Sequence, residues 1–140
     1  MGATTIEYRM MPGTRAAVGR SGGHSVIADR PEGKAGGLGL GFNGGELLAL
    51  AIGGCFCNDL QAIADEMGVT ITDLRVSVTI DFEGQPSRTA GARMDVECTL
   101  TDGSDPLQLI ERAKAATTIG NSIRAGMPLE IAVRSSQFES

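Results

Sequence analysis

Residues 46–67, ELLALAIGGCFCNDLQAIADEM, form the longest segment of the chain with helical periodicity. The first half of this segment is apolar on every side of the predicted helix. Such a helix is buried all round, whereas a surface helix keeps one polar face. We therefore predict a long central helix against which the remaining elements pack.

Two adjacent glycines, Gly53 and Gly54, lie inside this predicted helix, directly before Cys55. Each glycine costs about 1 kcal/mol relative to alanine in a helix interior, so a packing advantage must offset the loss. The usual advantage is the close approach of another backbone or of a ligand. Cys55 is therefore the first candidate for a functional residue.

The composition is typical of a single folded domain that covers residues 1–140. Hydrophobic residues make up 41% of the chain and charged residues 21%, proportions that favour a globular protein over a disordered one. The formal net charge of -5 argues against nucleic acid or an anionic membrane as a partner. The N-terminus lacks a signal-peptide pattern, and Asn58 and Asp59 interrupt the longest apolar run. We therefore expect a cytoplasmic protein that does not span a membrane.

Alternation of apolar and polar residues predicts strands on both sides of the central helix. The predicted strands cover residues 4–10, 14–18, 24–28, 74–82, 92–100 and 129–133. A second helical period runs through residues 107–124. The predicted order is βββ–α–ββ–α–β, which indicates an α+β fold with antiparallel sheets rather than a parallel doubly wound sheet.

Residues 30–45, RPEGKAGGLGLGFNGG, form a glycine-rich loop before the central helix. The spacing Gly39-x-Gly41-x-x-Gly44 matches a dinucleotide-binding pattern. However, no β-branched strand precedes it, and no strand with an acidic end follows the helix at the required distance. We interpret the segment as a crossing loop whose glycines allow tight backbone packing.

The chain contains three cysteines, Cys55, Cys57 and Cys98, and one histidine, His24. Residues two apart on a helix point about 200° away from each other, which disfavours a local disulfide or metal pair at Cys55 and Cys57. A single histidine also argues against a zinc site, and we expect no cofactor. We interpret Cys57 and Cys98 as packing residues and His24 as a strand-end residue rather than a general base.

The residues alone leave two interpretations of Cys55 open: a buried, inert thiol or a reactive one. A reactive thiol must be largely thiolate, and the dipole at the helix N-terminus is too distant to help in mid-helix. A cation must then come from another segment, and the candidates are Arg15, Arg20, Arg30 and Lys34. Asp59, one turn further along, opposes ionisation if it points the same way as Cys55.

Several motifs, in their order along the chain, resemble the OsmC/Ohr family of osmotically inducible protein C and organic hydroperoxide resistance proteins. They are GRSGGH at residues 19–24, Asp29-x-Pro31, Gly36-Gly37 and GELLALAIGGC at residues 45–55. The resemblance covers nearly the whole chain. It implies an intertwined homodimer with the central helices at its middle and active sites at the subunit interface.

The resemblance also implies a thiol peroxidase that needs no metal or bound cofactor. Cys55 matches the cysteine that attacks the O–O bond of a hydroperoxide, and Arg20 matches the arginine that holds the thiolate. A glutamate near the start of the central helix, for which Glu46 is the candidate, orients that arginine. The partners implied are the second subunit, a small-molecule hydroperoxide and a thiol reductant.

The chain departs from the family pattern at two places. The family's resolving cysteine has no counterpart in residues 115–121, AATTIGN, and the glutamate position falls on Gly45, one residue before Glu46. Two hypotheses follow. The first is a thiol-dependent hydroperoxide reductase in oxidative-stress defence, with Cys55, Arg20 and Glu46 as its site. The second is a non-catalytic dimeric binding protein that keeps the fold and a degenerate site.

Overall fold

A computed structural model describes residues 2–134 and contains five strands and three helices within that range. The elements are β1 (Glu7–Met10), β2 (Ala17–Ser21), β3 (His24–Ala28), α1 (Gly44–Met67), β4 (Ile71–Glu83), β5 (Arg88–Leu100), α2 (Leu107–Ala116) and α3 (Thr118–Ala125). Strands β1, β2 and β3 pair in that order, and β4 pairs with β5, all antiparallel. The predicted α+β class with antiparallel sheets and a central helix is confirmed.

Helix α1 begins with a capping box and ends at a left-handed glycine. The Asn43 side chain accepts a hydrogen bond from the Glu46 backbone N–H at 2.9 Å, and the Glu46 carboxylate accepts one from the Asn43 N–H at 3.0 Å. These bonds satisfy two donors that a helix start otherwise leaves unpaired. Gly68, with φ of 72°, closes the helix because a residue without Cβ adopts this conformation at little cost.

The hydrophobic core lies between α1, the β4–β5 hairpin and α2. Its buried members are Phe56, Leu60, Ile63, Ala64, Leu100, Leu109 and Ala113. Alternate residues of β4 and β5, including Val76 and Val96, pack against this cluster from one side. The opposite side of α1 is open within one chain, where Leu50 is 50% exposed. The single chain therefore buries one face of the central helix and not the whole circumference that its sequence predicts.

The two helical glycines have different surroundings. A Cβ at Gly53 would lie 3.1 Å from Val78 Cγ2 and 3.7 Å from Val76 Cγ1, so this glycine lets α1 pack closely on β4. The close neighbour is a valine side chain, where we had expected a backbone or a ligand. Gly54 has open space around the Cβ position.

The glycine-rich loop packs tightly against β3. Asp29 donates its backbone N–H to Phe42 O, and Phe42 donates its own to Ile27 O, both at 2.9 Å. A Cβ at Gly37 would lie 2.5 Å from the carbonyl oxygen of Arg30, so no other residue fits there without a backbone shift. The interpretation of these glycines as packing residues therefore holds at Gly37 and at Gly41, which meets the Ile27 backbone, whereas Gly33 and Gly44 have open space.

Two predicted elements differ from the structure. The helix expected over residues 107–124 is interrupted at Thr117, whose ψ of 113° is extended and separates α2 from α3. The predicted closing strand at residues 129–133 is not a strand, and Leu129, Ile131 and Val133 are 81%, 83% and 95% exposed. The alternation of apolar residues is present, but a strand also requires a pairing edge, and the described part of the chain supplies none to this segment.

Two further expectations need correction. Strand β2 begins at Ala17, not at residue 14, because the Thr14 hydroxyl bonds to Met11 O at 2.9 Å and holds a turn there. We also expected no segment as long as a membrane span, yet α1 meets the length and composition of one, with a mean hydropathy of 1.5. The core helix of a soluble protein passes the same test, so this is weak evidence for a membrane span.

Candidate functional site

Cys55 lies half-buried on α1 and contacts two polar side chains. Its thiol donates to the Asp59 carboxylate, with 3.6 Å between Sγ and Oδ2. The Thr117 hydroxyl donates to the same sulfur, with 3.7 Å between Oγ1 and Sγ. Asp59 faces Cys55 because residues four apart lie on one side of a helix. Asp59 therefore points the same way as Cys55.

The two contacts have opposite effects on the charge of the sulfur. A carboxylate beside a thiol disfavours the thiolate, because two negative charges would then lie close together. A hydroxyl that donates to the sulfur favours the thiolate, because a donor stabilises the ion more than the neutral thiol. Cys55 Sγ therefore lies between one hydrogen-bond acceptor, Asp59, and one donor, Thr117.

Thr117 is a site residue that sequence reasoning missed. It lies at the junction of α2 and α3 and is only 4% exposed. Residues 115–121 contain no cysteine, but the Thr117 hydroxyl in that segment contacts Cys55. The available signal was the pair of β-branched residues, Thr117 and Thr118, in the middle of a predicted helix, which favours a break.

Arg20 and Glu46 lie apart from Cys55 within one chain. Arg20 is on β2 opposite Glu7 of β1, and Glu46 is engaged in the capping box of α1. Glu46 precedes Cys55 by nine residues, which is about 13 Å along the helix axis and half a turn around it. Between residues 2 and 134, Cys55 Sγ forms hydrogen bonds with Asp59, to which it donates, and Thr117, from which it accepts, and with no other residue. The assignment of Arg20 and Glu46 to the site stays a prediction.

Gly45 is the position that matches the family glutamate, and the space beside its Cα is already filled by another side chain. A Cβ at Gly45 would lie 2.7 Å from Cζ of Phe82, the ring at the end of β4. The Phe82 ring therefore fills the space into which a side chain at position 45 would extend. A glutamate there would first have to displace this ring.

The other two cysteines lie away from the Cys55 contacts. Cys57 lines a groove with Gly53, Val76 and Val78, on the β4 side of α1. Cys98 packs against the core from β5, and burial raises the pKa of its thiol. All three cysteines are free, and the part of the chain that the structure describes contains no cluster of residues able to hold a metal ion.

A groove of about 910 Å³ adjoins Thr117 between β5 and the helices α2 and α3. Its apolar lining is Ile52, Phe56, Met94, Val96, Ile110 and Ile123. Charged residues also line it: Arg93 pairs with Asp95 at 2.9 Å and Lys114 with Glu111 at 3.2 Å, while Arg124 lies on α3. The hydrogen bond and charge of Asp95 raise the pKa of Arg93. An amphipathic organic molecule fits such a lining.

The fold and the site together define a class: small α+β domains with two antiparallel sheets and a cysteine on the central helix. Residues 35–132, more than half of the chain, match the sequence profile of the family described as OsmC-like protein. The chain therefore belongs to the OsmC-like family. No curated protein sequence matches it.

Solved structures of the same fold come from several bacteria. An OsmC-like protein from Mycoplasma pneumoniae has a TM-score of 0.74 and 16% identity, with 89% of each chain covered. An organic hydroperoxide resistance protein OsmC from Legionella pneumophila has a TM-score of 0.61 and 17% identity, covering 89% of this chain and 92% of its own. An organic hydroperoxide resistance protein from Elizabethkingia anophelis has a TM-score of 0.61 and 19% identity, covering 89% and 91%. At these identities the similarity establishes the fold.

Proposed function

We propose that this protein reduces organic hydroperoxides with Cys55 as nucleophile, as part of oxidative-stress defence. The observation that carries the proposal is the half-buried Cys55 thiol on the central helix, held between Thr117 and Asp59. Membership of the OsmC-like family supports it, as do structural neighbours named organic hydroperoxide resistance proteins.

The chemistry requires a thiolate and an external reductant. The Cys55 thiolate attacks one peroxide oxygen of ROOH, the O–O bond breaks, and the alkoxide leaves as ROH after taking a proton; Cys55 becomes a sulfenic acid. A thiol R′SH then attacks the sulfenic sulfur, which releases water and forms a mixed disulfide. A second R′SH releases R′SSR′ and restores the Cys55 thiol. The residue opposite Cys55 is a threonine, so an external thiol takes the role of a resolving cysteine.

We further propose that the working form is a cytoplasmic, intertwined homodimer. Three features support a second copy: the open face of α1 around Leu50, the open space at Gly54, and the exposed apolar alternation at residues 127–133. In such a dimer, Arg20 of the partner copy would supply the cation that favours the thiolate, and Glu46 would orient it. Apolar surfaces of this extent mark protein–protein contacts more often than free surface.

Peroxide consumption with a dithiol or a monothiol donor tests the proposed activity. The wild type is expected to consume an organic hydroperoxide, and Cys55→Ser to lose essentially all turnover because serine is not a nucleophile at neutral pH. Cys57→Ser is the matched control: the same substitution two residues away, expected to keep most activity. Full activity in Cys55→Ser would refute the proposal, as would an inactive wild type with every donor.

A second candidate function is that of a dimeric binding protein without catalysis. The groove of about 910 Å³ beside Thr117 favours it, because its mixed apolar and charged lining offers a binding volume. Under this alternative, Cys55 reacts slowly with iodoacetamide at neutral pH. Hydrophobic ligands would then bind equally well to the wild type and to Cys55→Ser.

A further inference from the structure

Thr117 has a buried side chain whose orientation is fixed from several directions. Its backbone N–H donates to Ala113 O at 3.0 Å, and its carbonyl accepts from the Asn121 N–H at 2.9 Å. Its methyl group packs against Gly120, where a Cβ would lie 2.7 Å from Thr117 Cγ2. A β-branched side chain has few χ1 rotamers open to it, and the contact with Gly120 restricts them further. In the observed rotamer the hydroxyl is directed at Cys55 Sγ.

The hydroxyl of Thr117 does not cap α3, although Thr117 occupies the N-cap position of that helix. Thr117 is the N-cap residue of α3, where a threonine oxygen ordinarily accepts from a backbone N–H of the first turn and stabilises the helix by about 1 kcal/mol. Here the side chain makes no capping hydrogen bond. Its O–H is directed at the Cys55 sulfur instead, 62 residues away in sequence. Because the Thr117 hydroxyl contacts Cys55 Sγ and does not cap α3, we infer that Thr117 has a role at the sulfur.

The hydrogen bond from the Thr117 hydroxyl to Cys55 Sγ becomes stronger when the thiol ionises. The neutral thiol donates its proton to Asp59 and accepts from Thr117. The thiolate has no proton to donate, so its contact with the Asp59 carboxylate becomes repulsive. Of the two side chains that form hydrogen bonds with the sulfur in the described part of one chain, only Thr117 has a donor for the thiolate. Donors to a charged acceptor are about twice as strong as neutral pairs.

We propose that Thr117 is a positioning residue for Cys55, whose hydroxyl donates to Sγ and favours the thiolate against the Asp59 carboxylate. The effect on thiol reactivity stands on the geometry alone; its effect on peroxide turnover rests on the proposed function. Thr117 thereby sets how readily Cys55 attacks an electrophile.

Alkylation of Cys55 by iodoacetamide across a pH series tests this in full-length protein carrying Cys57→Ser and Cys98→Ser. Thr117→Val keeps the shape and removes the donor, so its alkylation rate at neutral pH is expected to fall about tenfold, the equivalent of about 1.4 kcal/mol. The rate should approach that of the parent at high pH, where the thiol is fully ionised in both. Thr117→Ser restores the hydroxyl and is expected to stay within about threefold of the parent.

Thr118→Val is the matched control, because Thr118 is the adjacent, exposed threonine and is expected to leave the rate unchanged. Equal rates for Thr117→Val and the parent at every pH would overturn the proposal. A rate lowered by the same factor at high pH would overturn it too, because Thr117 would then control access and not charge. The assay does not depend on peroxidase turnover, so it can succeed where the proposed activity fails.

Thr117→Cys in the same background tests the placement without depending on how well the valine variant folds. A sulfur at the position of the hydroxyl would lie close enough to Cys55 to form a disulfide after a small rotation. Treatment with diamide is expected to form an intrachain disulfide, seen as the loss of two hydrogens in mass and as protection of both thiols. If both thiols stay free while the variant is folded by circular dichroism, residue 117 does not adjoin Cys55 and the proposal is wrong.

Discussion

Asp29 is a single carboxylate that holds the glycine-rich loop against β3. It is buried and accepts backbone N–H groups from Leu40 at 3.0 Å, Leu38 at 3.1 Å and Arg30 at 2.8 Å. The Leu40 bond is the main cause that lowers the pKa of Asp29; the Leu38 and Arg30 bonds add to it, while burial acts in the opposite direction. Together with the backbone bonds of Phe42 to Asp29 and Ile27, the carboxylate holds the loop beside β3 up to the start of α1.

The lowered pKa of Asp29 makes the stability of the loop depend on pH. Its stabilising contribution is fully present above the unfolded value near 3.9 and is lost as the pH falls through the lower, folded value. Asp29→Asn cannot accept all three bonds, so we expect a lower urea midpoint at pH 7. The gap between variant and wild type should narrow once the pH falls well below 4. Equilibrium unfolding in urea at several pH values measures this difference in midpoint between Asp29→Asn and the wild type.

The control for Asp29 is Asp73→Asn, the same substitution at an exposed position of β4. It is expected to leave the urea midpoint almost unchanged at every pH. A gap between Asp29→Asn and the wild type that stays constant into the acid range would contradict the assignment, because the carboxylate charge would then have no part in it.

At the scale of elements, local signals in the sequence account for α1 and for most strands. Continuous helical periodicity predicts α1, and Asn43 with Glu46 three residues later forms the capping box observed at its start. The break at Thr117 was missed, because the helical period of residues 107–124 continues through it and outweighs the weak signal of the β-branched pair Thr117 and Thr118. The contact of Thr117 with Cys55, 62 residues away in sequence, is not visible to any local pattern.

The capping box gives a prediction for α1 as an element. Asn43→Ala removes the side-chain acceptor of the Glu46 N–H and should lower the free energy of unfolding by about 1 kcal/mol. Denaturation in urea, followed by circular dichroism at 222 nm, measures the change. Gln61→Ala, at an exposed position in the middle of the same helix, is the control and should shift the stability by less than about 0.5 kcal/mol. Equal effects of the two variants would show that the cap does not stabilise α1.

At the scale of the whole molecule, the sequence predicts contacts that are not found within a single chain. Three features lack their expected neighbours among residues 2–134 of one chain: the apolar circumference of α1, the alternation at residues 129–133, and the pair Arg20 and Glu46. Sequence periodicity reports that a surface is to be buried but not which molecule covers it. A second copy that supplies these neighbours would account for all three features together, which supports the dimer proposed above.

Ile131→Glu tests that dimer at the segment with the most exposed apolar side chains. If residues 129–133 pack against a second copy, a carboxylate at position 131 has to be buried without a partner. The dissociation constant of the dimer should then rise at least about tenfold, which corresponds to about 1.4 kcal/mol. Sedimentation over a concentration series measures this dissociation constant. Peroxide turnover should fall in parallel, because Arg20 would reach Cys55 only across the interface.

Glu130→Gln is the control, because residue 130 lies on the opposite side of the apolar alternation. It should leave the dissociation constant and the peroxide turnover unchanged. A wild type that sediments as a monomer at all concentrations would disprove the dimer, and peroxide turnover by that monomer would show that Cys55 needs no cation from a partner.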